Sequence, residues 1–258
     1  MITNVKVGVG PKIDSPFFCL GIGSCFVGHL ENSLAEWGIP YIYNPLGTSF
    51  NPISIAHQLR WIFDDQFKLD PYFSHNEYYH ALFAGNKFQD TSLENLRNTI
   101  NKQRLHLFNK GFNRVENSVI IISLGTAHAW EINHTIVNNC HKLPGQLFNR
   151  KLLTINEIVK VWKEVLPIIP PNITLIFTVS PVRYTKIGLQ ENFLGKSILR
   201  LAIQELLQLR TNCVYFPSYE IITDELRDYS FFESNGTHPN KIAVDIVMKR
   251  FKEFLALK

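Results

Sequence analysis

The stretch Phe17-Phe18-Cys19-Leu20-Gly21-Ile22-Gly23-Ser24-Cys25-Phe26 runs an apolar segment through two glycines into a serine and a cysteine. Its first six residues are short and almost wholly apolar, which predicts a strand buried on both faces. Residues 26–37 follow with Phe26, Val27, Leu30, Leu34 and Trp37 near helical spacing. The glycines between them permit a tight strand-to-helix turn. The same strand signal recurs at residues 118–124 (SVIIISL), 173–179 (ITLIFTV) and 213–216 (CVYF). Helical candidates lie between and after these strands, at residues 53–63, 92–108, 155–166 and 192–209, and from Asn240 to the C-terminus. Asn51-Pro52 supplies an N-cap residue and a first-position proline for the second helix. On the closing helix, Ile242, Ile246, Met248, Phe251 and Leu255 are expected on the buried side. Strands alternating with helices predict a single-domain, three-layer α/β/α sandwich with a mostly parallel sheet, because parallel neighbours need crossover helices. Residues 128–149 lack clear periodicity and read as a loop or irregular excursion. There is no internal repeat and no low-complexity linker.

Composition narrows the function classes. Of the 258 residues, 45% are hydrophobic and 19% charged, an ordinary globular balance that argues against disorder. The net charge is +4, with Lys and Arg scattered rather than gathered in a stripe, so no nucleic-acid partner is expected. No apolar run is long enough for membrane insertion. The N-terminal residues lack the charged start and apolar core of a signal peptide. Cys19, Cys25, Cys140 and Cys213 form no CxxC pair, and the expectation is a cytoplasmic protein with reduced thiols. Neither a cofactor nor a metal is expected.

In open parallel sheets, ligands bind beyond the carboxyl ends of the strands. Four stretches fall there or just before a helix. Gly23-Ser24-Cys25 places a hydroxyl and a thiol at a helix N-terminus, where unpaired N–H groups and the dipole favour an anion; an N-cap serine beside a packing cysteine is the simpler alternative. Gly47, in Asn44-Pro45-Leu46-Gly47-Thr48, could offer a backbone N–H to an oxyanion. Gly125-Thr126-Ala127-His128 leaves the strand of residues 118–124. Asn235-Gly236-Thr237-His238-Pro239 precedes the closing helix, and His238 there could act as general base.

Together these segments resemble the ordered blocks of the SGNH hydrolases, and more closely the GSCFA family, whose motif appears here as Gly23-Ser24-Cys25-Phe26-Val27. The resemblance continues in order through Asn44-Pro45-Leu46-Gly47, Leu124-Gly125-Thr126-Ala127, Asn139-Cys140-His141-Lys142, Val179-Ser180-Pro181-Val182-Arg183, Tyr215-Phe216-Pro217-Ser218 and His238-Pro239. It implies an SGNH-like fold and an acyl-ester hydrolase or acyltransferase, acting on a small-molecule or carbohydrate acyl ester. A Ser or Cys nucleophile would work with a His base. A non-catalytic ligand-binding module on the same fold is the alternative. Laying the Gly of the SGNH Gly-Asp-Ser motif on Gly23 makes Cys25 the nucleophile; sliding by one residue makes it Ser24. Cys25 is preferred, because a helix N-terminus should lower its pKa.

Two departures stand out. The SGNH Asp three residues before the His is Asn235 here, with Glu233 or Asp228 as alternative acids. The Asn of the third SGNH block is missing after Gly125, leaving Thr126, the backbone or Asn139 as oxyanion donor. Asn139 and His141 are read as part of a polar loop over the site, since one Cys-His pair is too few ligands for structural zinc. His80 matches a histidine that family members carry nearby. Arg183 could hold an anionic or hydroxyl-rich substrate group, or pair with an acid among residues 224–228.

Overall fold

The computed structural model describes residues 3–11, 13, 17–112 and 118–256. The last two residues of the predicted closing helix lie outside them. In chain order the elements begin β1 (Phe18–Gly23), α1 (Phe26–Glu36), β2 (Tyr41–Tyr43) and α2 (Pro52–Phe63). Next come β3 (Tyr72–His75), β4 (Tyr78–Ala81), β5 (Gln89–Asp90), α3 (Leu93–Asn109) and β6 (Ser118–Leu124). Then follow β7 (His128–Ile132), β8 (Thr135–Val137), β9 (Asn149–Leu152), α4 (Ile155–Val165) and β10 (Thr174–Val179). The chain closes with α5 (Leu189–Leu206), β11 (Cys213–Tyr215), the single turn α6 (Ser218–Glu220) and α7 (Lys241–Phe254).

The central sheet has the order β11-β10-β6-β1-β2, and every pairing in it is parallel. Leu20 pairs with Ile120, which pairs with Leu175, so one row of side chains crosses three strands. The strand period of two sends these residues, with Ile22, Ile122 and Phe177, into one core shared with α2, α3, α4 and α5. Cys19, Val119, Ile121 and Ile176 face the opposite way, into a second core with α1 and α7. Two apolar faces covered by helices make the expected three-layer α/β/α sandwich. Trp162 ties the first layer together, donating from Nε1 to the Pro52 carbonyl (3.1 Å) and meeting Phe177 edge-on.

Helix starts follow their capping chemistry. Asn51 Oδ1 accepts from Ser54 N–H ahead of Pro52, as expected. Thr154 and Glu157 form a reciprocal capping box at α4. The buried side of α7 is Ala243, Val247, Met248, Phe251 and Phe254, continued by Leu255. Ile242 is a correction: it is exposed, because the stripe that meets the core starts at Ala243, one position later.

A second correction concerns residues 128–149. Instead of an irregular excursion, β7 pairs antiparallel with both β8 and β9. Asn133 and His134, both at positive φ, close the β7–β8 hairpin. A further antiparallel sheet, β3-β4-β5, turns at Asn76 and Glu77 in the same conformation. Among the described residues, no helix is long and apolar enough to cross a membrane.

Candidate functional site

Gly23 ends β1 at φ +137°, and a Cβ there would collide with the Ser123 carbonyl. This close approach brings the ends of β1 and β6 together. Ser24 N–H donates to the Ser123 carbonyl (2.9 Å), and the two hydroxyl oxygens lie 2.9 Å apart. Ser24 Oγ also accepts from Phe26 N–H (3.3 Å), and the residue is only 2% exposed. Cys25, the next residue, is exposed and occupies the N-cap position of α1. The turn therefore separates the two candidate nucleophiles: Ser24 is spent on the interior and Cys25 faces outward.

The expected lowering of the Cys25 pKa by the helix N-terminus is corrected: packing around Cys25 pushes its thiol pKa up, opposed by the thiolate's contact with its own N–H. A thiol raised in this way is not ionised in advance and needs a base to take its proton. Two histidines stand in this region. His29 lies one helical turn after Cys25, on the same face of α1. Burial lowers the His29 pKa most, the charge of His238 lowers it further, and that of Glu233 raises it. The charges of His238 and Glu233, on the turn before α7, thus reach His29 on α1.

That turn is held at the carboxyl edge of the sheet. Arg183 N–H, just beyond β10, donates to the Thr237 carbonyl (3.0 Å), and Glu233 N–H to the His238 carbonyl (2.8 Å). Asn235 Oδ1 accepts from the backbone N–H groups of Thr237 (2.8 Å) and His238 (3.4 Å), so this side chain shapes the turn. Asp228 accepts from Ser230 N–H and caps a short helix. Of the two alternative acids, Glu233 is the one whose charge reaches His29. The Arg183 guanidinium lies over Phe232 (3.8 Å) and Tyr229 (5.0 Å), bracing the turn that carries His238.

The Gly47 loop docks directly on the end of β1. Gly23 N–H donates to Asn44 Oδ1 (2.8 Å), and Ser49 N–H to the Gly23 carbonyl (2.9 Å). Gly47 itself donates its N–H to the Asn44 carbonyl (2.8 Å) and packs against Gly85, so that N–H is already engaged. Thr126 N–H is likewise taken by the Phe50 carbonyl (3.0 Å), while Thr126 Oγ1 accepts from His128 N–H. Asn139 Oδ1 accepts from His141 N–H (2.7 Å). The buried neighbour Asn138 reaches the loop instead, donating from Nδ2 to the Thr48 (2.9 Å) and Ala84 (3.0 Å) carbonyls. His141 lies with His80 along a different cleft, bordered by β4 and β5.

The matching family model runs from residue 19, in β1, to residue 251, in α7, and is that of the GSCFA family. The chain belongs to the GSCFA family. No curated protein matches it. In this GSCFA chain the family-naming residues Gly23, Ser24, Cys25 and Phe26 are the strand-to-helix turn itself, which joins β1, β6 and α1.

Three residues here carry little signal in the sequence. Ser123 sits near the end of the apolar run of residues 118–124, where a serine signals nothing about a partner on another strand. The spacing of His29 from Cys25 was legible, but a lone histidine in an amphipathic helix carries little weight. Lys196, 2% exposed on α5, donates from Nζ to the carbonyls of Gly125 (2.6 Å) and Ser180 (2.7 Å). It clamps the ends of β6 and β10, and burial lowers its pKa to about 7.

Proposed function

We propose that this protein is an SGNH-like acyl-ester hydrolase or acyltransferase with Cys25 as nucleophile and His238 as general base, acting on a small or carbohydrate-linked ester. The observation that carries the reading is the contrast within one turn: Ser24 is buried against Ser123, whereas Cys25 stands exposed at a helix N-terminus. His238 takes the thiol proton as Sγ attacks the ester carbonyl, and the carbonyl π electrons move to oxygen. The N-terminus of α1 favours that oxyanion. Collapse of the adduct expels the alkoxide, which receives the proton from His238, and leaves a thioester on Cys25. Water or an acceptor hydroxyl then attacks the thioester, with His238 again taking the proton, and the thiol is restored. Four free thiols fit a reducing compartment, so we place the protein in the cytoplasm.

A second reading, a ligand-binding module without turnover, is favoured by one observation. Asn235 serves the backbone of its turn rather than supplying a charge to the imidazole. A panel of acetylated sugars and aryl esters, assayed with wild type and His238→Ala, decides between them. Turnover that falls by about 100-fold or more in the variant is expected for a general base. Absence of turnover on every ester in the wild type would favour the binding module.

A further inference from the structure

Lys196, on α5, is a buried charge to which the reaction scheme above gives no part. It is 2% exposed, and no carboxylate charge offsets that burial among the described residues. An ammonium kept inside on such terms is costly, and a methionine would fill nearly the same volume. Its Nζ donates to the carbonyls of Gly125 (2.6 Å) and Ser180 (2.7 Å) and stands over the Tyr219 ring (5.7 Å). Gly125 and Ser180 are the first residues beyond β6 and β10. The last ladder bond between the two strands runs from Ser180 N–H to the Leu124 carbonyl (2.8 Å). Past it the strands part, and among the described residues no backbone N–H reaches either of the two carbonyls that Lys196 takes.

Each clamped residue leads to one half of the candidate site. On the β6 side, Ser123 lies two residues before Gly125, and its carbonyl accepts from Ser24 N–H (2.9 Å), next to Cys25. On the β10 side, Arg183 lies three residues after Ser180, and its N–H donates to the Thr237 carbonyl (3.0 Å), next to His238. Ser180 Oγ accepts from Val182 N–H (3.3 Å) and holds the short segment between them. The spacing of the two parting strand ends therefore sets where the His238 turn stands relative to the Cys25 turn. The other end of β10 provides a contrast. Arg210, beyond α5, donates to the carbonyls of Leu166 (3.1 Å), Ile169 (2.6 Å), Pro170 and Ile173 (2.7 Å), around the amino end of that strand. Ligands of such sheets bind beyond the carboxyl ends, so the Arg210 clamp holds the fold alone.

We propose, on the acyl-transfer reading above, that Lys196 is a positioning residue: its ammonium clamps the parting ends of β6 and β10 and thereby fixes His238 against Cys25.

The test compares wild type with Lys196→Met, Arg210→Met and His238→Ala by three measurements: iodoacetamide labelling of the Cys25 peptide across pH, ester turnover and urea unfolding. Lys196→Met is expected to slow labelling at pH 7 by about fivefold or more, as His238→Ala does. The alkaline rate should stay, since a misplaced base matters only where the thiol still holds its proton. On esters that the wild type turns over, kcat should fall by about tenfold or more with KM little changed, because a misplacement of about 1 Å can cost 100-fold. Arg210→Met should lose stability yet label and turn over as the wild type does. Lys196→Gln, which keeps an amide donor, should fall between Lys196→Met and wild type, and it carries the comparison if Lys196→Met does not fold. Wild-type labelling and turnover in the Lys196 variants would overturn the inference and leave the acyl-transfer reading intact. An equal loss in Arg210→Met would overturn it too, by reducing the effect to stability. Labelling and turnover in His238→Ala at the wild-type rate would remove the base itself, and the inference with it.

Discussion

Ser24 Oγ and Ser123 Oγ share a hydrogen bond of 2.9 Å at the buried junction of β1 and β6. Ser24 Oγ also accepts from Phe26 N–H, so one hydroxyl serves both the sheet and the first turn of α1. A side chain so engaged holds the turn that presents Cys25. Ser24→Ala leaves the Ser123 hydroxyl and Phe26 N–H without that partner, and is expected to cost about 1–3 kcal/mol. Ser123→Ala should cost a similar amount. The double variant should cost less than the sum, because the second substitution removes the orphan left by the first. Urea unfolding of the four proteins measures this; strict additivity would mean that the two hydroxyls do not interact.

Asn235 makes a different demand. Its Oδ1 accepts from two backbone N–H groups, a role that a carboxylate fills equally well. Asn235→Asp should therefore keep the turn and any turnover. Asn235→Ala should loosen the His238 turn, costing about 1 kcal/mol and part of the activity. Chemical denaturation alongside an ester assay checks both, and an alanine variant as stable and active as wild type would remove position 235 from consideration.

The three inner strands of the central sheet, β1, β6 and β10, were legible because they are buried and read as apolar runs between polar bounds, and β11 carried a shorter run; the edge strand β2, three residues and only partly buried, gave no such signal. The antiparallel sheets were not legible. β3 to β5 are two to four residues long and only partly buried, so they carry neither a continuous apolar run nor a clean alternation. For β7 and β8 a signal did exist: Asn133-His134 separates Ala129-Trp130-Glu131-Ile132 from Thr135-Ile136-Val137 by a two-residue turn. Within the candidate site, the edge of the sheet was readable from strand ends, and the choice between Ser24 and Cys25 was not. Which one faces outward depends on the positive φ of Gly23 and on where α1 begins, and neither is a property of residue type. The same holds for Asn138 and Asn139, adjacent and alike in sequence, of which only Asn138 is buried beneath the Gly47 loop.

Lys196 gives the fold a measurable pH dependence. Its folded pKa is lowered by burial to about 7, from the ordinary lysine value of 10.5. Below pH 7 both the folded and the unfolded chain carry the proton, and the group contributes no slope. Between 7 and 10.5 the unfolded chain binds more protons, so stability rises with pH, at most by about 1.4 kcal/mol per unit. The two carbonyl acceptors favour the charged form and keep the slope below that limit. The measurement is the unfolding free energy of wild type minus that of Lys196→Met at pH 7, 8 and 9. A positive trend is expected, and a flat difference would mean that the buried ammonium keeps its ordinary pKa.

Thiol labelling tests the outward position of Cys25 without requiring any substrate. Cys19 is fully buried, with its pKa raised by desolvation, and Cys213 is buried with its thiol pushed up to about 11. Cys25 is exposed, and Cys140 is half-buried in its turn. Iodoacetamide should therefore modify Cys25 at least tenfold faster than Cys19 and Cys213, with Cys140 as the competing site. Because packing raises the Cys25 thiol, its rate should still be climbing above pH 9 rather than levelling off near neutrality. Removing the base with His238→Ala should slow labelling at pH 7 and leave the alkaline limit in place. Any ester turnover should fall in step with Cys25 modification, survive Cys140→Ser, disappear in Cys25→Ala and persist in Ser24→Ala. If Ser24→Ala were inactive while folded and Cys25→Ala retained turnover, the nucleophile would be Ser24, and the turn would have to open to release it from Ser123.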